Sequence, residues 1–138
     1  QLRILLHSHI VVLFLLSSKI IAQQQKLTGI KWYLISIDRL ETSKSKLIDK
    51  RFESTLTFNA DSTFTGVTCN QYTGSFTTQH HKSIKMNVTS VKKLGCVWLD
   101  ELEREVLKHF KDVVNYRLKD DLFLFTSDGL RLTFKSHR

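Results

Sequence analysis

The chain contains no proline, and only five glycines, two cysteines and one methionine among 138 residues. Without proline-rich or glycine-rich stretches there is no linker to divide it, so it reads as one domain with no internal repeat. The glycines are scattered, and no glycine-rich phosphate loop, G-x-S-x-G elbow or H-E-x-x-H helix occurs, which removes the commonest nucleotide, hydrolase and metalloprotease signatures. Long hydrophobic runs are missing too. The apolar run "IVVLFLL" at 10–16 is far short of the roughly 18 residues a transmembrane helix requires.

What is present is a hydrophobic fraction of 41%, enough to bury a core. The chain begins with Gln1, and the short apolar run follows the basic Arg3 and precedes "SSKIIAQQQ", the pattern of a secretory signal. Cleavage after Ala22 is expected, making 1–22 a signal peptide and 23–138 the mature domain; a buried N-terminal strand or helix is the alternative. No cysteine stands at the cleavage point, so no lipid anchor is indicated. The mature protein is expected to be periplasmic or extracellular and not membrane-spanning. In an oxidising compartment two cysteines favour pairing, Cys69 with Cys96, against the alternative of two free buried thiols. The bridge would close a loop of roughly 28 residues, worth about 3–4 kcal/mol by loop-closure entropy.

Strand patterns dominate the rest. "KWYLISI" at 31–37 is apolar on both alternating faces, as for a central strand covered on both sides. Residues 38–51 are charged and lack alternation, so a long exposed connection is expected. "STLTF" and "STFTGV" around "NADS" predict a hairpin with Leu56, Phe58 and Phe64 inward, and a bulge at Gly66 to absorb the change of phase at Val67. A second hairpin joins the strand of Tyr72, Gly74 and Phe76 to "SIKMNV" across "TTQHHK". From 98 to about 112, Leu99, Leu102, Val106, Phe110 and Val113 recur at helical spacing. Asp100 and Glu103 have capping-box spacing at its start, and Lys108, His109 and Lys111 sit near its C-terminal end. "NYRL", "LFLFT" and "LRLTF" then form a meander, with Asp128-Gly129 the strongest turn signal.

Residues able to carry chemistry are few. Cys69, His80, His81 and Cys96 are zinc-ligand types, but their spacing matches no compact zinc motif and adjacent histidines on a strand point to opposite faces. A cysteine–histidine nucleophile lacks an orienting third group. Asp100, Glu101, Glu103 and Glu105 crowd one end of the helix, where its dipole accounts for them, and Asp120-Asp121 reads as a turn. No catalytic residue, metal ligand or cofactor site is therefore assigned. Asn87-Val88-Thr89 has the form of a glycosylation acceptor, relevant only in a eukaryotic host. The net charge is +8, or +6 once Arg3 and Lys19 leave with residues 1–22. That surplus favours anionic envelope molecules as partners, and export argues against nucleic acid; the basic residues are nonetheless dispersed, as on a solvated surface.

The order "KWYLISI", "LTFNADSTFTGVTCNQYTGSF", "VKKLGCVWLDELEREVLKHFKDVVNYRL", "LFLFTSDGLRLTF" resembles the HslJ-like META domain family over roughly residues 27–135. Cys69, Asn70, Tyr72 and Gly74 match the family's first motif, with Thr68 in place of its usual glycine. Cys96 matches the second, with Lys92, Leu94 and Gly95 replacing the usual neighbours. The resemblance implies a mainly β (α+β) fold: a curled antiparallel sheet or partly closed barrel of about 7–8 strands with one late helix. It also implies a bacterial envelope setting, linked to stress and antibiotic tolerance, with no settled catalytic activity. In that frame "CNQYTG" reads as structural: Gly74 allows close approach or a bend, Asn70 satisfies backbone groups in a turn, and Cys69 is tied to the helix entrance at Cys96.

Two functions follow as expectations. One is a non-catalytic, monomeric envelope protein that works through protein or envelope-component contacts. The other is a binder of a small apolar molecule, held in a curled sheet lined by Trp32, Tyr72, Phe76, Phe123 and Phe125.

Overall fold

The computed structural model describes residues 27–80 and 82–138, so the expected signal peptide and His81 lie outside the described residues. Among these described residues, nine strands and one helix follow in the order β1 (Lys31–Arg39), β2 (Lys44–Leu47), β3 (Thr55–Phe58), β4 (Thr63–Val67), β5 (Gln71–Gln79), β6 (Ser83–Lys92), α1 (Asp100–Asp112), β7 (Val113–Lys119), β8 (Asp121–Thr126) and β9 (Leu130–Lys135). The named strands pair antiparallel in the order β2-β1-β3-β4-β5-β6-β7-β8-β9, and β1 also pairs β9, so the sheet closes on itself. This is the mainly β, curled sheet with one late helix that the sequence implied, with nine strands rather than seven or eight.

The additional strand is β2, inside the stretch 38–51 expected to be a connection. Its four residues are all exposed, so no alternation marks it. Backbone pairing of Ser36–Arg39 with Lys44–Leu47 holds it on the edge of β1. The expectation that β1 is covered on both faces is also corrected. Trp32 and Leu34 point into the core, and a register shift between Leu34 and Ser36 leaves Ile35 as an extra residue. A bulge flips the phase of the residues that follow it, so Ile37 joins Trp32 and Leu34 inside while Tyr33 and Ile35 stay half-exposed.

No bulge occurs at Gly66, which pairs Leu56 in an unbroken β3–β4 register; the phase shift lies instead in the β5–β6 pair, between Thr73 and Gly74. Gly66 has a different reason to be glycine. A Cβ there would stand 2.2 Å from Thr55 O and 2.3 Å from the Tyr72 hydroxyl. Across the β4–β5 ladder Gly66 faces Tyr72, and Phe64 faces Gly74. Each ring lies over the bare backbone of its partner, since a Cβ on Gly74 would meet the Phe64 ring at 2.3 Å.

The ring is thinnest between β6 and β7, joined by the pair Ser83 with Asn115 and by the Tyr116 N–H donating to Lys82 O at 2.8 Å. The helix that links these strands in sequence packs against β6 and β8, beside that seam. Its Val106 and Phe110 enter the core, where the Phe110 ring meets Phe64 at 6.0 Å and Tyr72 at 5.8 Å. Phe58 and Phe76 stack edge to face at 4.8 Å, and Trp32, Leu34, Leu56, Leu122 and Leu132 fill the remainder. Phe123 and Phe125, expected to line the interior, alternate with the buried Leu122 and Leu124 and face outward. The Arg117 and Arg131 guanidiniums cover the Phe123 ring at 5.3 and 5.8 Å. The Asp128-Gly129 turn forms as expected, with Gly129 at φ +86° and the Thr126 hydroxyl accepting the Leu130 N–H.

Candidate functional site

The residues singled out around "CNQYTG" converge where β4 gives way to β5. Thr68, Cys69 and Asn70 form the three-residue hairpin loop between the paired Val67 and Gln71, and all three are buried. Buried backbone N–H groups need acceptors; the Thr68 N–H donates to Asn70 O at 3.4 Å, and those of Cys69 and Asn70 find theirs on the helix. The Glu103 carboxylate accepts the Cys69 N–H at 2.9 Å and the Asn70 N–H on one oxygen, and the Asn70 side-chain amide at 2.9 Å on the other. Glu103 is only 3% exposed, and a carboxylate is tolerated at that depth because three N–H groups replace its water.

This arrangement corrects the expected capping box. The helix starts at Asp100 with Leu99 as its N-cap and no side-chain cap. Glu103 turns its side chain away from the helix end toward the sheet, while Asp100 pairs with Arg104 at 3.4 Å. Val113, read as the last residue of the helical stripe, opens β7 instead. The dipole therefore suffices for Asp100 and Glu101 but not for Glu103. A signal existed in the sequence: Glu103 precedes Val106 by three residues and Phe110 by seven, inside the apolar stripe.

Asn70 works in both directions. Its amide nitrogen donates to Glu103 and its oxygen accepts the Leu94 N–H at 2.7 Å, so one side chain joins the β4–β5 connection, the helix and the segment before it. Cys69 and Cys96 form a disulfide with Cα atoms 5.4 Å apart, a second tie between the same two segments. Thr68 shares a 2.7 Å hydroxyl bond with Ser54. Two residues past Asn70, the Tyr72 hydroxyl donates to Thr55 O at 2.6 Å. Burial above all, and then the nearby Glu103 charge, push the Tyr72 phenol well above its ordinary range, so it stays protonated.

Of the residues marked in the sequence, Cys69, Asn70 and Cys96 thus meet around Glu103, Tyr72 adjoins them, and Gly74 lies beyond the bulge against Phe64. His80 does not join them. It sits in the turn at the far end of β5, a strand long enough to place it about 30 Å away. Among the described residues no group of three His, Cys, Asp or Glu side chains is placed to hold a metal. A second charged cluster lies elsewhere: Glu105 accepts from Lys46 at 2.6 Å and stands 3.6 Å from His109 Nε2.

The sequence reading missed Glu103, Leu94 and, outside the buried corner, Trp98. The segment between β6 and α1 carries Leu94, Val97 and Trp98 into solvent, at 54%, 79% and 91% exposure. Leu94 is held by Asn70 and Cys96 by its bridge, so the exposed side chains are mounted on a doubly tethered loop. Chemically the corner is an anchor: the carboxylate is engaged by three donors and both sulfurs are bonded, while the apolar loop faces outward.

Solved structures with the same fold exist. The protein of an NMR structure from Burkholderia xenovorans is 18% identical, with a TM-score of 0.66 over 83% of this chain and 86% of that one. A crystal structure of a duf4847 family protein from Bacteroides vulgatus is 14% identical, with a TM-score of 0.65 over 83% of this chain and 96% of that one. At such identities the likeness is one of fold. A search of curated proteins gave no match. The META domain family model matches residues 25–138, spanning every strand, the helix and the tethered corner, and the chain belongs to the META domain family.

Proposed function

We propose that this is an HslJ-like, non-catalytic META domain protein, exported as residues 23–138 to the bacterial periplasm or cell exterior. It acts there as a monomer, in stress or antibiotic tolerance, through contacts with a protein or an anionic envelope component. The observation that carries the reading is the Cys69–Cys96 disulfide at the motif corner, because such bonds persist in oxidising compartments and are rare in the cytosol. The packing supports contact over enclosure. Trp32, Tyr72 and Phe76 are spent on the core, Phe123 and Phe125 lie outside it, and large apolar side chains remain at the surface. Among the described residues no helix is long and apolar enough to cross a membrane.

The test is expression of the full chain in a bacterium, followed by fractionation and intact-mass measurement. A species of residues 23–138 in the periplasm or medium, about two daltons light and gaining them on reduction, supports the proposal. An uncleaved cytoplasmic chain with two free thiols overturns it.

A further inference from the structure

Eight large hydrophobic side chains are exposed among the described residues, and five of them gather at one end of the sheet. Val67 closes β4 and Val91 lies near the end of β6, beside the tethered corner, and Leu94, Val97 and Trp98 follow in the loop. The ladder end, the disulfide and the Asn70 bond to Leu94 fix that loop from behind, so ordering it on contact costs little further entropy. A tryptophan 91% exposed on a mounted loop is unusual for a surface with no partner.

The character of the patch narrows its occupant. Trp98, Val97 and Leu94 together present on the order of 400 Å² of side chain, about half of what each partner contributes to a stable protein interface. They stand on a loop that projects its side chains rather than lining a groove, so they suit a medium that yields to any apolar projection. Tryptophan is the side chain that favours the boundary between headgroups and acyl chains. Lys92 and Lys93, both exposed, directly precede Leu94, whereas Asp100 on the other flank is engaged by Arg104 and leaves Glu101 as the opposing free charge. The balance of the rim is basic, as is that of the whole chain.

We infer that the Leu94–Val97–Trp98 loop is a membrane-surface anchor that inserts shallowly into a bilayer carrying anionic phospholipid, with Lys92 and Lys93 at its headgroups. The inference deepens the envelope reading by naming the contact surface, and it rests on that reading for where the protein meets lipid. Vesicle binding is measured on purified protein and export by fractionation, so each can fail alone.

The experiment mixes the full chain with vesicles of phosphatidylcholine alone or with 30% phosphatidylglycerol, and reads tryptophan emission and co-sedimentation. Trp32 is buried, so any shift belongs to Trp98. The expected result is a blue shift with the anionic vesicles, protection of Trp98 from an aqueous quencher, and a tenfold or greater loss of binding in the Val97→Ser, Trp98→Ser double variant. Lys92→Glu with Lys93→Glu should abolish the preference for anionic lipid. All four positions are exposed, and unchanged denaturation midpoints will show that the variants fold. Trp98 emission unmoved by either vesicle overturns the anchor and leaves the loop to a protein partner. Binding that the Val97→Ser, Trp98→Ser variant retains also overturns it, by assigning lipid contact to another segment such as residues 10–16.

Discussion

Asn70 donates its side-chain amide to Glu103 across 33 residues of chain, at 2.9 Å and out of contact with water. The pair joins the motif strand to the helix, and the disulfide beside it joins the same segments again.

Removing the carboxylate strands two backbone N–H groups and the Asn70 amide in a buried site. Glu103→Ala should therefore lower stability by about 3 kcal/mol. Glu103→Gln should recover only part of it, because its NH₂ group faces a donor. Urea denaturation monitored by circular dichroism checks this, and a loss under about 0.5 kcal/mol, within the range of an ordinary surface substitution, would contradict the anchor role.

Reduction of the disulfide, or replacement of Cys69 and Cys96 by serine, should cost about 3–4 kcal/mol by loop-closure entropy. Because Glu103 and the bridge hold one loop, the two losses should not add. A double-mutant cycle in urea should return a coupling of about 0.5 kcal/mol or more, against near-additivity for independent sites.

Three glycines separate two physical causes. Gly66→Ala and Gly74→Ala drive a Cβ into backbone carbonyls at 2.2 and 2.3 Å, as well as into aromatic rings, so each should cost several kcal/mol or prevent folding. Gly129→Ala meets nothing within 4 Å and only forces alanine to positive φ, at a cost of about 1–2 kcal/mol. Ranking the three melting temperatures tests the distinction.

The pH response has a definite sign at each end. At Asp38 burial raises the carboxyl, but hydrogen bonds from Ser45, Arg131 and Ser36 outweigh it and hold the group below its ordinary value. Arg51 holds the exposed Asp49 at about 2. Carboxyls depressed in the folded state stabilise it above their unfolded value near 4, and that contribution disappears as pH falls through the folded values. Urea midpoints should therefore drop between pH 5 and pH 2, and Asp38→Asn should flatten the decline. Tyr72 and Tyr116 are raised by burial, so above about pH 10 the unfolded chain releases phenolic protons that the native one keeps. Absorbance at 295 nm should show Tyr72 ionising only together with unfolding.

The β-rich class, the late helix, the Asp128-Gly129 turn and the motif residues were all legible in the amino-acid order. Alternation, helical spacing and turn chemistry are local properties, written within a few neighbouring positions. Strand β2 was illegible because an edge strand with four exposed residues buries nothing and so has no alternation. The bulge at Ile35 and the glycines facing Phe64 and Tyr72 depend on which strand lies alongside. Pairing partners are a property of the closed ring, which no single segment encodes. Glu103 shows the limit most plainly. Read along the helix it is one acid among several near a positive dipole. Only the folded sheet brings the Cys69 and Asn70 N–H groups to it, leaves Trp98 in solvent on the other side of the tether, and so decides which residues hold the structure and which face outward.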